Sequence, residues 1–457
     1  MIIIPLIGEV KKFGVPVDDA IDDDDVDTVD IDTSRTIVDP IICGEKVDGN
    51  TNTIMQTIIR SISVWSPKWV MKDECQTVAV NNSDLSTMFL LLNSMIGSGI
   101  LVQAYVFKEA GLIVIVFEYI VITIMNYAGV ESLIRCSESK LIYDYSDLAE
   151  SIYGEYGSIA VDASMIIYGY GSLLSYVLII GSLLVEVSGN RDEWYFSVTF
   201  LTIVPITLFT APLCLLRKFG FLAMDLSIFV IGSIVLLIII GGPMRHAQVN
   251  YDHSYNLGNF NGAFNTIGDI IFALSYITAT FHAYQGMKGK STKRFRRLTL
   301  VTTTVGSFMC FITGLAGYLS FGSTTETNIL SNFDGAVGSV FKVFLIIHLI
   351  LFIPGDFVIT RAACLRLFKL EVKDLSDITY ITLTLFIIYS ITIIAIVLQV
   401  YASNNNNLGT VVNITGGTSL CMLSFVIPGM LSLKLFPTDA IFLIIFLIVI
   451  ITTARGQ

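Results

Sequence analysis

The chain has little of what enzymes, pumps and nucleic-acid-binding proteins depend on. Of its 457 residues only 14% are charged and only 4 are histidines, which are scattered. No H-E-x-x-H pattern, no phosphate-binding G-x-x-x-x-G-K-[ST] loop and no channel filter repeat occurs. We therefore expect neither an enzyme nor an ATP-driven pump, and we expect no cofactor, no metal site and no nucleic-acid partner. The 7 cysteines are dispersed, so we also expect no structural disulfide.

The chain is rich in long apolar segments. Hydrophobic residues make up 54% of it, the mean hydropathy is +0.74, and apolar runs of about 20 residues, enough to cross a bilayer, recur along most of its length. The pattern predicts an all-α polytopic protein whose partner is the lipid bilayer. Its eleven predicted spans are 85–107, 111–134, 158–187, 195–214, 219–240, 262–285, 298–321, 337–360, 378–402, 408–433 and 437–453.

Residues 1–83 precede the spans and are strongly acidic. Much of the net charge of -11 lies here, and residues 18–32 read DDAIDDDDVDTVDID. Such a run of carboxylates repels itself, so a disordered cytosolic arm is the simpler interpretation and a docking segment for a cytosolic partner is the alternative. We divide the chain into this tail and a transmembrane domain at 84–457.

The first span is interrupted near its middle. In DLSTMFLLLNSMIGSGILVQAYVFKEA (84–110), Gly97-Ser98-Gly99 breaks the apolar run. Glycine makes unwinding easy, and non-helical backbone inside a membrane is tolerated only where it lines a cavity or is buried in protein. Close helix packing is the alternative role for such small residues. The pattern alone fits equally a solute site on the backbone of Ile96, Gly97, Ser98 and Gly99 and close helix packing at these residues.

Five segments resemble, in order, motifs of the amino acid/auxin permease family. They are LNSMIGSGIL in the first span, YDYSDLAESIYGEYG (143–157), APLCLLRKFGFLA (211–223), GYLSFGSTTETNILSNF (317–333) and GGTSLCMLSFVIPGMLSLKL (416–435). The family includes sodium-coupled neutral and vacuolar amino acid transporters. The resemblance covers about residues 84–453. It implies a LeuT-type fold, with spans 1–5 and 6–10 as inverted repeats and one extra C-terminal helix.

The resemblance also implies a function. The chain would be a secondary active transporter that moves small, mainly neutral amino acids by alternating access. Its substrate would lie between discontinuous helices in spans one and six, where a half-helix N-terminus near Ser98 offers N–H groups to a carboxylate. Asn93 matches the family's first-span asparagine, which helps to hold substrate and cation. A hydrogen bond between helices is the alternative role for Asn93.

The second break is predicted within DIIFALSYITATFHAYQGM (269–287). Many relatives have a histidine or proline with small residues there, whereas 273–280 contains neither glycine nor proline. The register is therefore open. The candidates for lining the pocket are Ser275, Tyr276, Thr278 and Thr280.

Polar residues within the spans are candidates for ion coupling, namely Asn93, Glu118, His348 and Asp356. Sodium-coupled relatives place a hydroxyl side chain on the eighth helix shortly before a proline. Residues 349–353 contain no Ser or Thr there, and the neighbouring His348 is able to carry a proton. We therefore favour proton coupling or uniport over sodium coupling.

Two questions stay open at this level. A sensor or signalling scaffold on a transporter fold is the alternative function, and flux through reconstituted vesicles separates it from a transporter. Both the plasma membrane and a vacuolar or lysosomal membrane fit the sequence.

The distribution of basic residues predicts the topology. From Asp84 onward, with Lys342 inside a span set aside, a cytosolic N-terminus places fifteen Lys and Arg residues at inner span ends and four at outer ends. Such loops stay cytosolic. In sealed right-side-out vesicles we expect protease to remove a tag after Gln457 and to spare one before Met1. The reverse pattern would show that the topology is wrong.

Overall fold

The computed structural model describes residues 82–188, 202–215, 222–246, 255–370, 375–401 and 407–436. Within these ranges the regular elements are helices, and one isolated backbone bridge joins Asn82 to Met287. The first 81 residues and the predicted eleventh span, at 437–453, lie outside the described residues.

The helices are numbered here in chain order. They are α1 (Asp84–Met95), α2 (Gly99–Ala110), α3 (Leu112–Lys140), α4 (Tyr145–Tyr153), α5 (Glu155–Ser188), α6 (Thr202–Leu215), α7 (222–246), α8 (Phe260–Leu274), α9 (Ile277–Gly286), α10 (Thr292–Phe321), α11 (Gly335–Leu367), α12 (Asp377–Tyr401) and α13 (Asn407–Leu435). Helices α6, α7 and α13 each include π-helical turns.

Most of these helices are long and apolar enough to cross a membrane. In the described part, 7 qualify, namely α3, α5, α8 with α9, α10, α11, α12 and α13, and the pair α1 and α2 makes an eighth, bent by 52°. Helices α6 and α7 are shorter apolar helices within predicted spans four and five. The prediction of a helical polytopic membrane protein is therefore confirmed.

Helix α4 is a short helix that begins at a side-chain cap. Asp144 accepts hydrogen bonds from the Ser146 and Asp147 N–H groups, at 2.9 and 3.2 Å. Caps of this kind satisfy N–H groups that have no partner within the helix. The apolar side chains of α4, including Leu148 and Ile152, are buried.

Polar contacts attach α4 to three membrane helices. Asp144 Oδ2 lies 3.0 Å from Arg366 Nη1 of α11, and Arg366 Nε lies 3.2 Å from Asp162 Oδ1 of α5. The Tyr145 hydroxyl donates to the Leu423 carbonyl of α13 at 2.7 Å. Burial raises the pKa of this hydroxyl well above its usual range, so it remains a donor.

Some helices approach each other at backbone distance. A Cβ built on Gly416 of α13 would lie 1.9 Å from the Gly268 carbonyl oxygen of α8, and one built on Gly129 of α3 would lie 1.8 Å from the Ser424 carbonyl oxygen of α13. Small residues permit such contacts, which help helices to associate within membranes. Helix α13 is thereby held against the helix that carries the second break.

We expect Gly416→Ala to destabilise the protein, because the new methyl group would overlap the backbone of α8. Overpacking of this kind typically costs about 1–3 kcal/mol. Gly232→Ala in α7 is the matched control, since no atom lies within 4 Å of its added Cβ. The measurement is the midpoint of thermal unfolding in detergent. Equal midpoints for the two variants would contradict the proposed close contact.

Candidate functional site

The first span is interrupted at Ile96, Gly97 and Ser98, where the sequence predicts a break. Ile96 has φ −92° and ψ 28°, and the chain resumes as α2 at Gly99 in a different direction. The Leu101 N–H reaches back only three residues, to the Ser98 carbonyl at 3.2 Å. Helix ends leave N–H and C=O groups without partners in the helix. Backbone donors and acceptors therefore converge at this point.

The second break lies inside the predicted segment of the sixth span. Helix α8 ends at Leu274, Ser275 and Tyr276 are non-helical, and α9 begins at Ile277. The Asn126 side chain of α3 donates a hydrogen bond to the Leu274 carbonyl, which is one of the groups that the break exposes. An unwound segment thus forms without glycine or proline because a neighbouring helix supplies a partner.

The half-helices α2 and α8 are in direct contact. A Cβ built on Gly99 would lie 2.7 Å from the Cα of Ala273, so no side chain fits between them. The Gln103 amide of α2 donates to the Gly99 carbonyl at 2.8 Å and to the Asp269 carbonyl of α8 at 3.3 Å. The Tyr119 hydroxyl of α3 donates to the same Gln103 side chain. The two breaks are therefore neighbours.

Asp356 lies in a polar cluster beside the first break. Its Oδ2 accepts hydrogen bonds from Ser172 Oγ at 2.6 Å and from the Tyr176 hydroxyl at 2.9 Å, both on α5. The Tyr176 hydroxyl lies 3.5 Å from the position of a Cβ on Gly97. A carboxyl group of α11, predicted as an ion-coupling candidate, is thus connected to the unwound backbone through one side chain.

Hydroxyl groups of α5 extend this cluster. Ser98 Oγ lies 3.3 Å from Ser175 Oγ, which donates to the Ser172 carbonyl at 2.7 Å. Sequence reasoning missed Ser172, Ser175 and Tyr176. Ser175 and Tyr176 lie three and four residues after Ser172, which places all three on one helix face. This polar face within a span was the sequence signal by which they could have been found.

Two of the predicted pocket residues make hydrogen bonds with the helices around the second break. The Tyr276 hydroxyl lies 2.6 Å from Thr303 Oγ1 and donates to the Thr299 carbonyl at 3.3 Å, both on α10. Thr280 Oγ1 donates to the Tyr276 carbonyl at 3.1 Å. Both side chains are buried, and these hydrogen bonds join them to the surrounding helices.

The other two candidates of the sixth span contact different helices. Ser275 Oγ lies 2.7 Å from Ser424 Oγ of α13. The Thr278 side chain on α9 lies near the Tyr168 side chain of α5, the helix that also carries the Asp356 partners. Thr278 is therefore the sixth-span candidate that the structure connects to the side of α5.

Three further candidates have polar atoms without hydrogen-bond partners among the described residues. They are Asn93 Nδ2 on α1, Glu118 Oε2 on α3 and both ring nitrogens of His348 on α11. The His348 ring stacks on Phe352 at 5.5 Å, and Phe352 reaches to 4.0 Å from the Gly97 Cβ position. His348 is thus connected to the first break through Phe352. No described contact connects Glu118 to either break.

A buried ion pair joins α5 and α11 and was missed in the sequence. Lys342 Nζ lies 2.8 Å from Glu186 Oε2, and Ser331 Oγ donates to Glu186 Oε1 at 2.8 Å. Lys342 is only 5% exposed. Ionisable groups within membranes generally pair with one another, so a lysine inside a span was the signal for an acidic partner.

The described residues include no group of three or more His, Cys, Asp or Glu side chains placed to hold a metal ion. Five cysteines in this part of the chain are free thiols, namely Cys136, Cys214, Cys310, Cys364 and Cys421.

Comparison with known protein families assigns the chain. The family described as transmembrane amino acid transporter protein matches residues 81–454. The chain belongs to this family. It is the amino acid/auxin permease family, so the resemblance seen in the five motifs is confirmed. Members of this family are transporters and not enzymes, which confirms that expectation too.

Curated relatives in the family are amino acid transporters. Amino acid transporter AVT6E of Arabidopsis thaliana is 23% identical over 373 residues, which cover 76% of this chain and 75% of the relative. Putative sodium-coupled neutral amino acid transporter 11 of Rattus norvegicus is 25% identical over 367 residues, covering 78% of each chain. Vacuolar amino acid transporter 7 of Saccharomyces cerevisiae is 26% identical over 265 residues, covering 55% of this chain and 52% of the relative.

Solved structures of transporters share the fold. MhsT in complex with L-phenylalanine has a TM-score of 0.51 at 12% identity and covers 83% of this chain and 99% of its own. The Eremococcus coleocola manganese transporter has a TM-score of 0.55 at 12% identity and covers 84% of this chain and 87% of its own. At this identity the likeness concerns the fold alone, which is of the LeuT type.

Two substitutions of different size at Gly97 test the predicted binding site of this protein. In Gly97→Ala the added Cβ would be 3.5 Å from the Tyr176 hydroxyl, an ordinary contact, so we expect binding near that of the wild type. Gly97→Leu would extend further toward Tyr176 and Phe352, and we expect it to abolish binding. Thermal-shift titration with neutral amino acids measures both. A Leu variant that binds like the wild type would place the site elsewhere.

Proposed function

We propose that the protein is a secondary active transporter of small neutral amino acids that works by alternating access. Family membership and the two neighbouring helix breaks support this proposal. The proposed architecture has eleven helices, with spans 1–5 and 6–10 as inverted repeats and an extra helix at 437–453. Its support is that breaks occur in α1–α2 and α8–α9, the first helix of each repeat.

Substrate recognition rests on unwound backbone in this proposal. The carboxylate binds N–H groups at the start of α2, near Ser98 and Gly99, where the helix dipole is positive. The ammonium group binds carbonyl groups at the end of α1, near Ile96, with Asn93 close in sequence. Asn93 is 4% exposed and its Nδ2 has no partner among the described residues. Buried polar groups are normally hydrogen-bonded, so this N–H group fits a donor to a bound ligand.

Alternating access requires the site to be closed at one stage of the cycle. Both breaks are closed in this conformation, because Ser98 is 1% exposed and Ser275 is 7% exposed. Opening must therefore separate helices around the breaks toward each side of the membrane in turn. Thr278, which lies near Tyr168 of α5, and Phe352, which reaches to 4.0 Å from the Gly97 Cβ position, are the proposed neighbours of the substrate side chain.

Asp356 is the proposed proton carrier. It is a buried carboxyl group within α11, and in the described residues its polar contacts are hydroxyl groups of α5 and no basic side chain. An unpaired buried carboxylate is costly, so the group takes up a proton or a cation before it is enclosed. Protonation forms an O–H bond, and opening to the opposite side releases the proton to water. Proton coupling through Asp356 is favoured over sodium coupling, and uniport is the alternative.

The remaining assignments concern location. We propose that residues 1–83 are an acidic cytosolic arm and that residues 84–457 form the transport domain. The membrane of residence is the plasma membrane or a vacuolar or lysosomal membrane. The basic inner span ends support a cytosolic N-terminus.

The decisive experiment measures uptake of radiolabelled neutral amino acids into proteoliposomes. With choline in place of sodium, an inward proton gradient should drive accumulation in the wild type. Asp356→Asn should lose at least about tenfold of this accumulation, which corresponds to about 1.4 kcal/mol of driving force, while exchange at equal concentrations persists. Asp147→Asn, on the exposed side of α4, is the matched control.

Two results would overturn the proton assignment. One is uptake that disappears in choline but survives collapse of the pH gradient, which would indicate sodium coupling. The other is full pH-driven accumulation by Asp356→Asn. Absence of any flux in a folded wild type would instead favour a sensor.

A further inference from the structure

A second carboxyl group lies within the membrane helices, away from the Asp356 cluster. Asp269 is on α8, about one and a half turns before the second break. Its side chain is buried, with 2% exposed, and Oδ1 has no hydrogen-bond partner among the described residues. Among the described residues, the hydrogen bond that another helix makes to Asp269 goes to its backbone carbonyl, from Gln103. Neither the motifs nor the Asp356 cluster accounts for this group.

The ionisable groups on the helices that pack against α8 do not neutralise Asp269. On α2 these are Lys108, which donates to the Thr325 carbonyl, and Glu109. On α3 these groups include Glu118, Tyr119, Tyr127 and Glu131, on α10 Cys310 and Tyr318, and α13 carries Cys421 and, at its far end, Lys434. No Lys, Arg or His side chain lies within ion-pair distance of Asp269 in the described residues.

The surroundings also distinguish a proton from a metal cation. Sodium and other hard cations require several oxygen ligands around them. Asp356 has hydroxyl oxygens of two side chains at hydrogen-bond distance, whereas Asp269 Oδ1 has none among the described residues. A proton needs a single oxygen, and it removes the charge that makes burial costly.

We propose that Asp269 is a second proton-binding site of the transporter, used in the same cycle as Asp356. The inference rests on the proposed proton-coupled function. A proton from the outer aqueous phase adds to the Asp269 carboxylate and forms a neutral carboxylic acid. The neutral group permits α2 and α8 to close against each other. When the site opens to the other side, the O–H bond breaks and the proton passes to water.

The position of Asp269 explains how its charge would affect the substrate site. Gln103 binds the carbonyl groups of both Asp269 and Gly99, and Gly99 begins the half-helix at the first break. Tyr119 fixes the Gln103 side chain from α3. A charge that draws water toward Asp269 would therefore disturb the contact that joins the two breaks. Gln103 is a positioning residue in this proposal.

The test compares wild type, Asp269→Asn, Asp269→Glu and Asp356→Asn in proteoliposomes. The proton to amino acid ratio is obtained from the pH gradient that just balances a known amino acid gradient. We expect the ratio to fall by one proton in Asp269→Asn and to be restored in Asp269→Glu. A ratio in Asp269→Asn equal to that of the wild type would overturn the proposal. Size-exclusion profiles in detergent check that each variant is folded.

An infrared measurement separates failure of this site from failure of proton coupling as a whole. The purified wild type at neutral pH should show a carboxylic acid C=O band that shifts in D2O and is missing in Asp269→Asn. The band requires no transport, so it tests Asp269 even if the wild type proves not to be driven by protons. A difference spectrum without this band would show that Asp269 is not protonated in the closed state and would reject the proposal.

Discussion

The whole arrangement depends on one constraint, which is that hydrocarbon offers no partners to backbone N–H and C=O groups. A helix that unwinds within a membrane must therefore find partners in neighbouring helices. In this protein Asn126 of α3 donates to the Leu274 carbonyl at the second break, and Gln103 of α2 donates both to the Gly99 carbonyl of its own helix, beside the first break, and to the Asp269 carbonyl of α8. Both side chains come from helices in the first half of the chain. The proposed substrate site lies at these breaks, where a substrate would supply further partners.

The same constraint explains the distribution of small residues and of charges. Gly99 against Ala273 and Gly416 against Gly268 bring backbones so close that neither water nor lipid enters between them. Ionisable groups then occur in polar contacts, as Lys342 does with Glu186 and Asp356 does with Ser172. Backbone contacts at small residues and hydroxyl contacts thus supplement a large core of buried apolar side chains such as Leu91, Phe107 and Phe357.

Much of the fold could be predicted from the sequence, because apolar length and the Gly97-Ser98-Gly99 interruption are local signals. The second break was predicted as a segment, but its register was not, since Ser275 and Tyr276 unwind because of partners on other helices. Tyr276 illustrates the limit. Its hydroxyl group lies at hydrogen-bond distance from Thr303 on α10, a contact for which the sequence has no local signal. The Asp356 partners on α5 were missed because contacts between helices far apart in the chain leave no local pattern.

The hydrogen bond from Tyr145 to the Leu423 carbonyl has a consequence for membrane trafficking. The residues from Tyr145 to Leu148 read YSDL, which fits the tyrosine-based signals that cytosolic adaptor proteins read in extended form. Here Tyr145 is 4% exposed, Leu148 is fully buried, and both belong to a helix. An adaptor would have to unfold α4 and withdraw Tyr145 from α13 before it could read this sequence. In the folded protein, this sequence is therefore not accessible as an extended peptide.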